Sequence, residues 1–487
     1  MSRNKCIVIL FISLWLCLWG ATAVAQSQNP LILTNDQEQH PLGPHLEILE
    51  DKEGAWTIED VTSPEIAAQF VPNQEESPGF GFTDSAYWVR IQATNEADAA
   101  SNWLIVLDTD VYTIDYYYPI ENGVGYDSVH TGTARPFATR DVSSTDYVFR
   151  LPLPPQQTET IYMRFESEDT LILTLSLWSE SAYFQYAKAK LARLSFFYGI
   201  LFILAGYNLV FFFYIRDNSY LFYALFFGTI LLGIIGIDGF GDQYLWPNWP
   251  GLAATADRFF VVLSFSFALL FATSFLRTKE FTPRLHKIML GLATTILILL
   301  ALQFIWFRQT AVIHIFLLLA SCVTIIVAGL LVWRKGYSPA RYFLLGWLPL
   351  LIGFAIFVLT LIDVLPWVDM TDSLLRLGLV ILAFVLSIGL ADRINRYRRE
   401  KVAAQLAVAA QRSRIAQDLH DSVTQSLYST NLFAEAGRET VQAGDTEGAS
   451  HYFTRIGAVS QQALKEMRLF LYELRPPDVV DVGLVDA

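Results

Sequence analysis

The chain has 487 residues, of which 53% are apolar and only 17% charged, with a mean hydropathy of +0.37. That is too apolar for an ordinary soluble protein and too long for one domain. The net charge of −13 is uneven: residues 26–187 hold 26 acidic and 6 basic side chains, a balance of −20 that leaves +7 elsewhere. An acidic part and a basic part on opposite sides of a membrane account for this, and the acidic part is unsuited to nucleic acid.

The first 25 residues carry Arg3 and Lys5, an apolar run over 7–19 and Ala23-Val24-Ala25 ahead of Gln26. This is the layout of a secretory signal peptide cleaved after Ala25; an uncleaved membrane helix competes, but the run is short for a span. Leu16 before Cys17 is too large for a lipoprotein signal. Cys6 and Cys17 leave with this segment and Cys322 lies in an apolar run, so the exported part folds without disulfides.

Residues 26–187 are expected to form an exported domain. Strand patterns at 86–92, 103–108, 112–118, 161–166 and 171–178, separated by Pro, Gly and Asn clusters, predict a β-sandwich or jelly roll. Trp103, Tyr116 and Tyr118 offer ring faces to a sugar, although the same alternation fits plain core packing.

Seven apolar stretches follow within 188–391, near 191–215, 219–237, 257–276, 287–306, 311–333, 341–363 and 373–391. Each is about long enough for a bilayer span, which predicts a seven-helix transmembrane bundle. With the N-terminus outside, the inner connections carry Arg216; Arg277, Lys279, Arg284 and Lys287; Arg334, Lys335 and Arg341; then Arg393, Arg396, Arg398, Arg399 and Lys401. The outer loops carry Arg308 and the acids Asp238, Asp242, Asp363, Asp369 and Asp372. This asymmetry predicts a multi-pass membrane protein, with the N-terminal domain outside and the C-terminal region in the cytoplasm. Asn208, His314 and Arg376 are expected to make interhelical or interfacial contacts rather than a transport site. The last stretch has no lysine, which excludes a retinal-binding receptor.

A helical linker is expected over 392–412, and no proline occurs from 367 to 475. Two three-four spaced rows follow: Val402, Leu406, Ala409, Ser413, Ala416, His420, Val423, Leu427, Thr430 and Ala434, then Phe453, Ile456, Ser460, Ala463, Met467, Phe470 and Leu474. Gly437, Gly444, Asp445 and Gly448 between them supply a turn, so 413–477 reads as an antiparallel helical hairpin. One hairpin cannot bury both rows, and two paired as a homodimer make a four-helix bundle. His420, flanked by Asp418 and Asp421, sits at or beside a helix–helix seam in this reading. Neutral imidazole is a nucleophile near neutral pH, and a carboxylate such as Asp421 orients the ring and balances the charge formed on attack at phosphorus. Gln425, four residues on and on the same face, is placed to position a water for the reverse hydrolysis. A lone helical histidine is otherwise more often a surface or satisfied core residue.

Arg414-Ile415-Ala416, Leu419-His420-Asp421, Gln425 and Leu474-Arg475-Pro476-Pro477 resemble the dimerisation and phosphoacceptor domain of sensor histidine kinases of the nitrate-sensor-like subfamily. The match departs only at Gln417 and Asp418, where the family has Glu or Arg. Tyr198-Gly199, Tyr207-Asn208-Leu209, Arg216-Asp217 and Tyr220-Leu221-Phe222-Tyr223 resemble the seven-transmembrane receptors with diverse intracellular signalling modules (7TMR-DISM). The segment from Tyr87-Trp88-Val89-Arg90 through Tyr116-Tyr117-Tyr118-Pro119 resembles that family's extracellular sensing domain, a jelly roll thought to bind carbohydrate-like ligands. The resemblance implies that His420 accepts a phosphoryl group from ATP, that Asp421 assists and that Gln425 serves the phosphatase reaction. It implies a response regulator as partner and no metal site within the chain. Residues 478–487 stand where such kinases begin an ATP-binding domain with an asparagine-rich helix and a Gly-rich lid, and neither occurs in these 487 residues. The expectation is therefore either that the sequence is a fragment of a kinase, or that it is a receptor without kinase activity of its own that is phosphorylated in trans or relays by contact.

Overall fold

The computed structural model describes residues 31–33, 38–96, 102–120, 125–167, 170–303, 307–361, 369–442 and 444–473. The expected signal peptide and the expected start of an ATP-binding domain lie outside these residues. The chain divides into two compact units, Met1–Leu390 and Ala391–Ala487.

The first unit opens with strands β1 (Leu31–Leu33), β2 (Gln39–Pro41) and β3 (Leu46–Asp51), then two short helices, α1 (Ile58–Thr62) and α2 (Pro64–Ala67). Strands β4 (Val71–Pro72), β5 (Gly79–Phe82), β6 (Ala86–Asn95), β7 (Trp103–Leu107), β8 (Thr113–Pro119), β9 (Tyr126–Thr131), β10 (Tyr147–Leu151), β11 (Thr158–Glu166), β12 (Thr170–Ile172) and β13 (Leu175–Ser179) follow. One sheet runs β4-β3-β6-β11-β8-β9, with β1 parallel to β6; a second runs β10-β7-β13-β2. Their facing sides share one apolar core, with Val89, Ile91, Ile114 and Met163 from the first sheet and Ile105, Leu107, Phe149 and Leu177 from the second. This is the period-two alternation of strands that are buried on one side. The outer face of the large sheet is covered by α1 and α2, where Leu49, Val61, Phe70, Trp88 and Tyr162 form a smaller cluster. Thr57 starts α1 with a reciprocal cap: its backbone N–H donates to Asp60 Oδ2 at 2.9 Å, and the Asp60 N–H donates to Thr57 Oγ1 at 3.4 Å.

The strand expected over 171–178 is two strands. β12 pairs with β5, whereas β13 joins β7 and β2. The break is held by one backbone and one side-chain bond, since the Leu173 N–H donates to Pro78 O at 3.0 Å and Thr109 Oγ1–H donates to Ile172 O at 2.9 Å. An apolar run carries no mark of which sheet each half will join.

The helical part begins with α3 (Glu180–Ile215), α4 (Asn218–Ile237), α5 (Pro250–Phe275), α6 (Thr278–Phe281), α7 (Pro283–Leu302), α8 (Phe307–Arg334) and α9 (Ala340–Leu361). Helix α10 (Asp369–Gln442) then leads to α11 (Thr446–Glu473). Among the described residues, six helices are long and apolar enough to cross a membrane (α3, α4, α5, α7, α8 and α10), and α9 carries a shorter apolar stretch, Ala340–Ile356. The protein is thus an integral membrane protein with a β-rich N-terminal domain. Helix α3 starts eleven residues before the apolar stretch at 191, capped by Ser179, whose Oγ accepts from the Ala182 N–H at 3.4 Å.

Polar groups grip the last span in the manner of membrane bundles, where a hydrogen bond has no water to compete with it. Asn208 Nδ2 donates to Ser387 Oγ at 3.2 Å, and Tyr223 Oη donates to Ala383 O at 2.7 Å. Arg376 pairs with Asp238 at 2.7 Å, and Tyr198 donates to the same carboxylate. The contacts expected of Asn208 and Arg376 are therefore made between helices. His314 is different: it is buried, and neither ring nitrogen has a hydrogen-bond partner among the described residues.

Candidate functional site

The second unit is the helical hairpin of α10 and α11. Gly444 turns the chain at φ +81°, where a side chain would be strained, and the Asp445 Oδ1 accepts from the Gly448 N–H at 2.9 Å to start α11. Gly437 and Gly448, expected in the turn, lie within the helices. Gly437 faces α11, and a Cβ there would meet Tyr452 Cβ at 3.3 Å.

The face that α10 turns to α11 is made of Ile415, Leu419, Ser422, Ser426, Ser429 and Phe433, all partly buried. It lies beside the row that contains His420 rather than on it. His420, Asp418, Asp421 and Gln425 are exposed, and Val402, Leu406 and Leu427 in the His420 row stay open too, with Leu427 at 65%. On α11 the inward residues are Ile456, Ser460, Ala463 and Met467, which are members of the second expected row, whereas Phe453 points out. The hairpin thus closes on one face and leaves the imidazole, both flanking carboxylates and the Gln425 amide exposed.

One contact fixes the helix pair at the level of His420. Ser422 Oγ–H donates to Glu466 Oε2 at 2.5 Å, and Gln462 Nε2 donates to Glu466 Oε1 at 2.7 Å. These two bonds, Ser422's first, hold the Glu466 carboxyl below the usual carboxylate range. A hydroxyl two residues past the histidine points about 160° away from it on a helix of 3.6 residues per turn. The Ser422–Glu466 bond therefore sets the rotation at which α10 shows His420 to the open side. Glu466 escapes sequence reasoning because a glutamate in an amphipathic helix is read as a solvated face; its four-residue spacing from Gln462 was the available signal.

In the exported domain the rings expected to meet a sugar are mostly core. Trp103 is 2% exposed, and Tyr116 is fully buried with its hydroxyl donating to Arg150 O at 3.0 Å. Tyr118 is half-buried against that core and reaches Asp127 Oδ2 at 3.2 Å. Beside them, β8 and β9 carry a charged cluster: Asp115 lies 2.7 Å from His130 Nδ1, 3.5 Å from Arg164 and 3.8 Å from Arg135. Among the described residues no group of three or more His, Cys, Asp and Glu could hold a metal ion.

Comparison with known proteins divides the chain into three matches. Residues 43–179 match the family model described as 7TMR-DISM extracellular 2, residues 191–393 match 7TM diverse intracellular signalling, and residues 411–479 match a histidine kinase model. The chain is also similar to the sensor histidine kinase YhcY of Bacillus subtilis (strain 168), 35% identical over 94 residues. That stretch is 19% of this chain and 24% of the relative, so the chain spans about a quarter of the length of the curated relative it matches.

Proposed function

Because the chain joins a 7TMR-DISM extracellular domain and 7TM domain to a histidine kinase segment, we propose that it is the sensor of a two-component system whose phosphoacceptor is His420. The observation that carries this is the open face of the hairpin. His420, Asp421 and Gln425 are all exposed on α10, with Asp421 and Gln425 one turn apart, and the same helix begins as a membrane span.

The chemistry follows from the residue types. A ring nitrogen of His420 attacks the γ-phosphorus of ATP, ADP leaves, and the Asp421 carboxylate balances the imidazolium charge as the ring proton departs. The phosphoryl group then passes to an aspartate of a response regulator. Gln425 positions the water that hydrolyses the regulator's phosphoryl group when the sensor is off. ATP is the phosphodonor.

The open row with Val402, Leu406 and Leu427 supports a homodimer in which two hairpins make a four-helix bundle, the arrangement that covers such a row. Seven spans, a jelly-roll exported domain, an inner-membrane location with the hairpin in the cytoplasm, and a small carbohydrate-like external stimulus complete the reading. The two facing sheets support the jelly roll, and the basic inner connections support the orientation. The domain limits proposed are 26–187, 188–391, 392–412 and 413–477.

The test is phosphoryl labelling of the complete signalling protein by ATP. His420→Ala is expected to abolish acid-labile label and transfer to a regulator, whereas His451→Ala leaves both unchanged. Label that survives in His420→Ala sinks the assignment.

A further inference from the structure

The start of α3 belongs to the exported domain's packing. Tyr183, fully buried, sits among Leu104, Val106, Val142 and Val148 on the outer side of the small sheet. Its hydroxyl lies 2.6 Å from Ser144 Oγ and donates to Asp146 at 3.1 Å. Two turns on, Lys190 Nζ donates to Asp146 at 2.7 Å and to Asp108 at 2.8 Å. The first membrane helix is therefore an extension of the sandwich.

The next two helices are attached through the connection between β9 and β10, whose Val142, Ser144 and Asp146 also hold α3. Arg140 in that connection has only 4% of its side chain exposed. Its guanidinium lies 4.1 Å from the Tyr147 ring centre and 4.8 Å from that of Phe137, and it donates to Ser144 O at 2.9 Å and Thr145 O at 2.5 Å. It reaches Asp242 at 3.5 Å, in the helical turn Gly241–Leu245 that joins α4 to α5. Trp246 Nε1 donates to the same carboxylate at 2.9 Å. The Phe137 N–H donates to Pro247 O at 3.1 Å, and Gly239 packs so closely that a Cβ would lie 2.7 Å from Thr145 O.

A buried ion pair is a weak source of stability but a strict source of geometry, because either partner alone is an uncompensated charge. Burial raises the Asp242 carboxyl above the usual range against the pull of Trp246 and Arg140, so the carboxylate's desolvation is not recovered in full. Such a pair fixes position at the expense of stability. The same connection also reaches the large sheet, through Arg135 on Asp115.

We propose that the 137–147 connection is the element through which the exported domain positions both α3 and the α4–α5 turn, with Arg140 and Asp242 as the pin on the turn. It rests on the sensor reading and names where the signal enters the membrane. A shift of β8 and β9 moves the connection, and Arg140 then carries the Asp242 turn while Ser144 and Asp146 carry the start of α3.

The test uses the full chain in lipid nanodiscs and, for output, the complete signalling protein. Asp242→Asn keeps the volume and the acceptor for Trp246, so it removes the charge with the fold intact; Arg140→Met is the second variant. Amide exchange in both 137–147 and 238–249 is expected to rise about tenfold or more, with β6 and β11 unchanged. His420 phosphorylation by ATP is expected to change at least severalfold in the same variants. Unchanged exchange at 238–249 overturns the proposal. Faster exchange with unchanged phosphorylation overturns it too, because the pair would then only fasten the domains. His420→Ala in the native junction reports on the sensor reading alone, so its failure is separable.

Discussion

The grip on the last span has a measurable weak point at Gly378. A Cβ at this position in α10 would lie 2.8 Å from Leu350 Cα and 3.0 Å from Pro349 O, both backbone atoms of α9. Neither can move aside as a side-chain tip can. Ordinary carbon contacts are about 3.5–4.0 Å, so Gly378→Ala forces the two helices apart by about 1 Å. Overpacking of this kind costs about 1–3 kcal/mol. Gly291 in α7 is the matched control, since nothing lies within 4 Å of its Cβ position. There the same change is expected to be neutral or to stabilise by up to about 1 kcal/mol through helix propensity. The assay is the unfolding midpoint of the full chain in mixed detergent micelles, followed by helicity and compared between the two variants. The expected result is opposite signs, with Gly378→Ala the less stable. A Gly378→Ala variant within about 0.5 kcal/mol of Gly291→Ala refutes the close approach of α9 and α10.

Two other outcomes follow from the site and from the exported domain. Gln425→Ala is expected to leave phosphoryl acceptance at His420 intact and to slow regulator dephosphorylation by about tenfold or more, read from loss of labelled regulator; an equal loss of both reactions removes Gln425 from the hydrolytic role. His40, buried edge-on to Trp103, has its pKa lowered by burial and then by His45. Its neutral form is favoured by folding, so the stability it contributes is complete above the unfolded value of 6.5 and is lost as pH falls below it. Thermal scans of the full chain between pH 7.5 and pH 5 are expected, on that linkage, to show a steeper acid loss in the native protein than in His40→Asn. Parallel curves contradict a buried neutral imidazole.

Much of this protein is local in origin and could be read from the order of its residues. Apolar length marks membrane helices, and spacing of three and four marks the hairpin, because both depend on backbone geometry that repeats along one segment. Asp421 and Gln425 share a face for the same reason. Strands β6, β8 and β11 were legible through alternation and β7 as a short apolar run, whereas β9, with the sequence Tyr-Asp-Ser-Val-His-Thr, was not, since its residues are mostly polar and its pairing with β8 decides its state.

What the tertiary structure alone decided concerns groups that are distant in the chain. The run at 171–178 divides between two sheets, a choice made by Pro78 and Thr109 rather than by the run itself. The row with His420 lies beside the hairpin seam, because Ser422 and Glu466, 44 residues apart, settle the rotation of α10. Arg140 and Asp242, 102 residues apart, look in sequence like two solvated charges, one in a loop of the exported domain and one in an outer turn. Only their burial against the rings of Phe137, Tyr147 and Trp246 turns them into a joint. Periodicity reports which side of an element is apolar, but the partner that covers that side, and the charge it brings, depend on contacts that no local pattern encodes.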